Sequence, residues 1–349
     1  MDTNIQTIYF NTEQQQTRDI SIDFVKFFAV LLVFNSHLQN LYPEKINAMA
    51  TGGAIGDALF FFCSGYTLLL GRNAGFFNWY KRRINRIYPT VFAWAIMRCL
   101  WLNSNENIIT VILNGGGWFV TCIMLYYIVF WAMRQIIGKL EFDQIKAWGA
   151  TLILTTVSTL TYYICWGTNC WDNCIYGHTK LKWIFFFGCM IIGTICGQRS
   201  EQHSTQKTAR HILFLLSYIA LFYAFAAFKK YPKWESLQLI SLIPLGGILY
   251  EIWLFSKSKC LNKLYQKKYI EFAVRFLGGL CLEVYLVKST FLSFPDLPTH
   301  FPSSLFPINL FVFFIFTIAI AYILRCLARV FAQTFKEGDY DWKEIVKPF

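Results

Sequence analysis

At 349 residues the chain is 56% hydrophobic and 15% charged, with a mean hydropathy of +0.41 and a formal net charge of +12. That balance excludes an ordinary soluble domain, which is far more polar, and points to an all-α polytopic bundle in a membrane. The charge invites a nucleic-acid reading. The basic residues, however, are spread over the loops between apolar runs rather than gathered on one folded face, so nucleic acid is excluded as a partner.

Residues 1–20 are expected to form a cytoplasmic N-terminal segment, of which 1–17 are polar and lack the basic start and short apolar run of a cleavable signal. A helix needs about 20 apolar residues to cross the hydrocarbon core. About ten runs approach that length: 21–41, 54–71, 88–102, 116–133, 147–166, 182–198, 211–228, 237–255, 270–292 and 307–330. They define one apolar domain over residues 21–330, followed by a polar tail over 331–349. The alternate loops differ in charge. One set, from Arg72–Arg86 through the tail, holds 21 Lys and Arg; the other set holds five, Lys45, Lys180, Lys229, Lys230 and Lys233. Basic loops stay in the cytoplasm, so about ten spans with both termini cytoplasmic are expected. No repeat, low-complexity stretch or appended soluble domain is visible.

Seven of the 11 cysteines lie in apolar runs, where cysteine acts as a small hydrophobe. Cys165, Cys170 and Cys174 cluster near one loop with only His178 as a nearby nitrogen ligand. The spacing fits no zinc pattern, so no metal is expected, and one disulfide among the three stays open.

The first run carries the chemistry. Lys26 and His37 are eleven residues apart, three helical turns, so on a straight helix they share a face about 16 Å apart. Ionisable groups are costly in a bilayer, and those that persist there mark function. His37 stands beside Asn35 and Ser36, and histidine is the usual proton-transfer group near neutral pH. Asp23 lies one turn before Lys26 and can pair with it. The structural alternative is a lysine that snorkels to the interface and a histidine bonded to a neighbouring helix.

At the next basic boundary the chain reads Lys81-Arg82-Arg83-Ile84-Asn85-Arg86-Ile87-Tyr88-Pro89. Arg83 and Arg86 are one helical turn apart and can fork onto phosphate oxygens, with Arg82 beside them; the simpler reading is a topology anchor. Pro89 suits the first turn of the third span. Ahead of this cluster, Gly52 to Tyr66 is rich in glycine and phenylalanine, with Asp57 at its outer end. Arg98, Arg275, Glu283 and Lys288 also fall in or near apolar runs, and Glu283 and Lys288 are close enough to pair or to line a cavity. The other histidines (His178, His203, His211 and His300) fall in loops or at span ends and read as surface or interface residues.

These stretches together resemble the acyltransferase family three of bacterial membranes. The resemblance rests on a basic residue, Lys26, ten residues and then His37; on Leu59-Phe60-Phe61-Phe62-Cys63-Ser64-Gly65-Tyr66; and on the paired arginines of Arg83-Ile84-Asn85-Arg86. Weaker echoes stand at Gly117-Trp118-Phe119 and from Leu277-Gly278 through Glu283-Val284-Tyr285-Leu286. The commoner arginine before the histidine is Lys26 here. Tyr285-Leu286-Val287-Lys288 ends in lysine where the family often has histidine, and the acidic residue before the Phe-Phe run is displaced to Asp57.

The resemblance implies an O-acyltransferase of the bacterial cytoplasmic (inner) membrane. Acetyl-CoA is the usual donor and succinyl-CoA the rarer one; the acceptor is a hydroxyl of a cell-surface or lipid-linked glycan. Arg83, Arg86, Arg82 and Lys26 would hold the donor's phosphates. His37 would act as general base or carry the acyl group transiently, with Asp23 in support and Glu283 as a further catalytic candidate. Membrane lipids and polysaccharide biosynthesis machinery are the expected surroundings. The rival readings are a flippase for a lipid-linked glycan, which predicts repeats and discontinuous helices, and a structural subunit of an export complex.

Overall fold

The computed structural model describes residues 19–68, 75–101, 107–113, 117–137, 143–167, 171, 181–198, 208–292 and 297–349. Arg18, Cys170, Cys174, His178 and His203, and with them the disulfide question, lie outside the described residues. The described residues form helices: α1 (Ile20–Asn35), α2 (Gly53–Leu68), α3 (Phe76–Trp101), α4 (Ile108–Leu113), α5 (Trp118–Ile137), α6 (Gln144–Trp166), α7 (Leu181–Gln198), α8 (Thr208–Ala226), α9 (Leu242–Ser256), α10 (Lys259–Tyr265), α11 (Lys268–Gly279), α12 (Cys281–Phe291), α13 (Leu297–His300), α14 (Ile308–Thr334) and α15 (Trp342–Ile345). No strand occurs among them.

By length and composition, six helical stretches among the described residues can cross a membrane: Glu44–Leu68, Trp118–Gln135, Leu181–Gln198, Thr208–Lys230, Lys233–Ser256 and Ile308–Thr334. The other apolar runs are helical too; the fifth matches α6, while the first, third and ninth differ from expectation. The first ends at Asn35 instead of 41, because the Asn35 amide donates to the carbonyls of Met49 (2.8 Å) and Thr51 (3.0 Å) and its carbonyl oxygen accepts from Tyr42 Oη (2.7 Å). The third begins at Phe76 instead of 88, so Pro89 sits inside the helix and not in its first turn. Lys81, Arg82 and Arg83 are good helix formers, and the early turns are anchored by Trp79, buried, and by Phe76, whose ring is 5.1 Å from that of Trp131. The ninth run is broken at Leu280 into α11 and α12. There Gly278 lets α11 approach the Asp23 carbonyl of α1, which an added Cβ would meet at 3.1 Å.

Contacts fix the helix directions. Ser36 lies by Gly53 and Asp19 by Tyr66, so α1 and α2 are antiparallel. Gly278 lies by Asp23 and Lys288 by Val33, so the α11–α12 pair runs with α1. Asn309 reaches Leu41 and Arg325 reaches Glu283, so α14 runs against both. Phe119 meets Phe60 and Tyr127 meets Ser64, so α5 runs with α2.

The α2–α7 crossing is the tightest. A Cβ on Gly65 would fall 1.8 Å from the Met190 carbonyl oxygen, and one on Gly193 would fall 2.0 Å from that of Phe62. These backbones touch because both residues lack side chains, as small residues permit in membranes. Gly193→Val is therefore expected to cost about 3 kcal/mol or more, the upper range for overpacking. A clear fall in the midpoint of thermal unfolding in detergent is the check; an unchanged midpoint would mean the crossing is looser than this.

Candidate functional site

The end of α1 presents the first candidate side chain, His37. The helix stops at Asn35, and the chain tightens: the Ser36 N–H donates to Leu32 (3.1 Å) and the His37 N–H to Phe34 (3.2 Å). His37 is thus carried on a turn past the helix end, and it is exposed. The straight-helix assumption behind the Lys26–His37 face holds only as far as Asn35.

Three charged residues from three other helices converge on this turn. Asp57 of α2 is half-buried, Lys182 of α7 is 8% exposed and Lys288 of α12 is fully buried. Both lysines lie within electrostatic reach of Asp57 and of His37. Lys288 Nζ donates to the Val33 carbonyl (3.1 Å) and stands 5.6 Å from the Tyr285 ring centre; Lys182 Nζ lies 3.9 Å over the Trp118 ring. Gly117, at φ +137°, passes Tyr285 so closely that a Cβ would stand 2.8 Å from its hydroxyl. Both the positive φ and that approach call for glycine. The Gly117-Trp118-Phe119 and Glu283–Leu286 stretches, remote in sequence, thus meet here.

The opposite end of the bundle is basic. Arg83 is half-buried; its guanidinium carbon lies 4.4 Å over the Trp79 ring and 5.9 Å from that of Tyr127. Arg82 and Arg86 are exposed, and both lie within electrostatic reach of Arg83, as does Arg134. Tyr127 Oη is 2.9 Å from Ser64 Oγ on the last turns of α2, the end that also packs against Asp19. His37 and the arginines are therefore at opposite ends of the α1–α2 pair. Lys26 lies between them, half-buried, against Gly278 and within electrostatic reach of Cys63 and Cys281. Asp23 accepts from Tyr265 Oη (3.2 Å).

Glu283 does not face this cluster through a pairing with Lys288. It forms a buried ion pair with Arg325 of α14 (Nη2–Oε2 3.1 Å, Nε–Oε1 3.3 Å), and Arg325 also donates to the Gly279 carbonyl. Arg275 is bound to Glu271 (2.9 Å) and lies under the Phe349 ring (3.9 Å). His211 is no surface residue: its Nδ1 is 2.7 Å from Glu251 Oε2 and both side chains are buried. Lys182 was not singled out by sequence reasoning. Its signal is a lysine at the lysine-poor end of an apolar run, where the orientation rule gives it no purpose.

Cationic lysines, an exposed imidazole and a carboxylate at one end, with an arginine cluster at the other, suit acyl transfer. No curated protein and no solved structure matches this chain. The model of acyltransferase family 3, an acyltransferase domain, matches residues 19–326, nearly the whole chain, and the protein belongs to that family.

Proposed function

We propose that the protein is an O-acetyltransferase of the bacterial inner membrane. On this reading acetyl-CoA is its cytoplasmic donor, and a hydroxyl of a surface or lipid-linked glycan is its acceptor. The observation that carries this reading is the exposed His37 imidazole at the far end of α1 from the arginine cluster. Coenzyme A bears several phosphate charges and is made in the cytoplasm, where the basic loops would lie by the orientation rule. Arg83 and Arg86 hold its phosphates, Arg82 adds charge, and Lys26 stands along the path of the pantetheine arm. From Lys26 to the end of α1 at Asn35 the helix rises roughly 14 Å, and His37 stands on the turn just beyond, within the reach of an extended pantetheine arm.

His37 takes the proton of the acceptor hydroxyl, the oxygen attacks the thioester carbonyl, the C–S bond breaks, and the departing thiolate takes a proton. An ester and free coenzyme A result. Lys182 favours the negative charge that develops on the carbonyl oxygen. Succinyl-CoA would serve by the same chemistry, and partners in polysaccharide biosynthesis would supply the acceptor. The break at Leu280 is a feature that a flippase would share, but the close approach of Gly278 to α1 accounts for it by packing.

The test is transfer of labelled acetyl from acetyl-CoA to de-esterified surface glycan by the purified protein. Alkali-labile acetyl esters are expected; none with any glycan from the parent cell would overturn the reading. Within it, Arg83→Ala with Arg86→Ala should raise the donor KM about 10- to 100-fold, the equivalent of charge-assisted bonds at ~1.5–3 kcal/mol. Lysine at both positions should recover only part of this, because a lysine cannot reproduce the stacked guanidinium on Trp79. An unchanged donor KM with wrong membrane orientation would make the cluster an anchor instead.

A further inference from the structure

We propose that Lys288 is the positioning residue for His37: its buried ammonium closes the end of α1 through the Val33 carbonyl and so fixes the turn that presents the imidazole. This rests on His37 being the reactive group of the proposed transfer.

A helix end leaves its last carbonyls without intrahelical partners. In a continuing helix the Val33 carbonyl would take the His37 N–H. Here that N–H goes to Phe34 (3.2 Å), and the Val33 carbonyl accepts instead from Lys288 Nζ (3.1 Å) and from Ser36 Oγ (2.9 Å). Two donors thus occupy the acceptor whose release lets the chain turn at His37. A cation at a helix C-terminus also matches the negative end of the helix dipole.

The lysine cannot wander. Its side chain is fully buried, as are the neighbouring Leu286 and Val287. A buried cation needs a countercharge, and Asp57 on α2 is the carboxylate within its electrostatic reach. One ammonium therefore joins α12, which bears it, to α1 through Val33, and its charge is balanced by Asp57 of α2. The Asn35 side chain secures the same turn from the other side through Met49, Thr51 and Tyr42. This gives a function to the lysine at the end of Tyr285-Leu286-Val287-Lys288.

The competing role is that Lys288 only neutralises Asp57. The two are separated by full-length protein in detergent carrying Lys288→Met alone or with Asp57→Asn. Both variants are assayed for acetyl transfer and for carbethoxylation of His37 by diethyl pyrocarbonate, read by peptide mass. Lys288→Met should lower turnover about 10- to 100-fold, the scale of a small misplacement of a catalytic group, with the donor KM unchanged. The double variant should regain thermal stability but not turnover. His37 carbethoxylation should change several-fold in both. Where Lys288→Met alone gives no monodisperse protein, the charge-balanced double variant carries the test. Full recovery of turnover in the double variant overturns the proposal, as does an unchanged His37 modification rate. The modification readout needs no acyl transfer, so it separates failure of this proposal from failure of the proposed activity.

Discussion

His37→Ala is expected to lower acyl transfer by about 10³-fold, within the range that a positioned acid–base group contributes, while the protein accumulates and melts as the wild type does. The stability half of this expectation comes from exposure. His37 sits on a turn beyond the end of α1, and truncating an exposed side chain away from the core changes stability by about 0.5 kcal/mol or less. The turn itself is held by groups that the substitution leaves in place: the Ser36 hydroxyl and Lys288 on the Val33 carbonyl, and the Asn35 amide on Met49 and Thr51. The activity half comes from the surroundings, since no other histidine among the described residues is brought to the Asp57, Lys182 and Lys288 cluster. Exposure also makes the defect open to chemical rescue, and free imidazole should restore part of the transfer. Measured glycan esterification at the wild-type rate in His37→Ala would remove His37 from the mechanism.

How far the sequence alone could reach depends on whether the signal is local. Hydropathy locates the helices because burial or lipid contact needs a long apolar run, and each of the ten runs holds helix. Where a helix ends is decided by remote partners. Asn35 ends α1 through Met49 and Thr51, and Gly278 breaks the ninth run because the α1 backbone lies against it. Lys26, His37 and the paired arginines were legible because each stands out within its own segment. Their companions were less so. Asp57 reads locally as a solvated loop charge, Lys182 as a helix-end lysine and Lys288 as a departure from a pattern; the packing of α2, α7 and α12 on the end of α1 makes them one cluster. Glu283 was legible as an ion in an apolar run, but its partner proves to be Arg325, 42 residues away, and not the lysine one and a half turns along.

Lys26→Met is expected to raise the donor KM at least about 10-fold, the effect of losing ~1.5 kcal/mol of charge-assisted contact, with little loss of stability. Methionine keeps most of the apolar stem, so the contact with Gly278 survives. The carboxylate of Asp23, one turn earlier, keeps the Tyr265 hydroxyl (3.2 Å) as a donor. Lys26→Arg should remain active, since it preserves the cation between the arginine end and His37. The competing account is that Lys26 only balances Asp23, so that the isolated carboxylate is the whole defect in Lys26→Met. Breaking a buried pair leaves an uncompensated charge, and removing that charge as well relieves the penalty. On that account Lys26→Met with Asp23→Asn would transfer acetyl as the wild type does. If Lys26 instead meets the donor, the double variant keeps the raised donor KM whatever becomes of its stability. Donor KM in the single and double variants decides between the two, and full rescue by Asp23→Asn would take Lys26 out of the donor path.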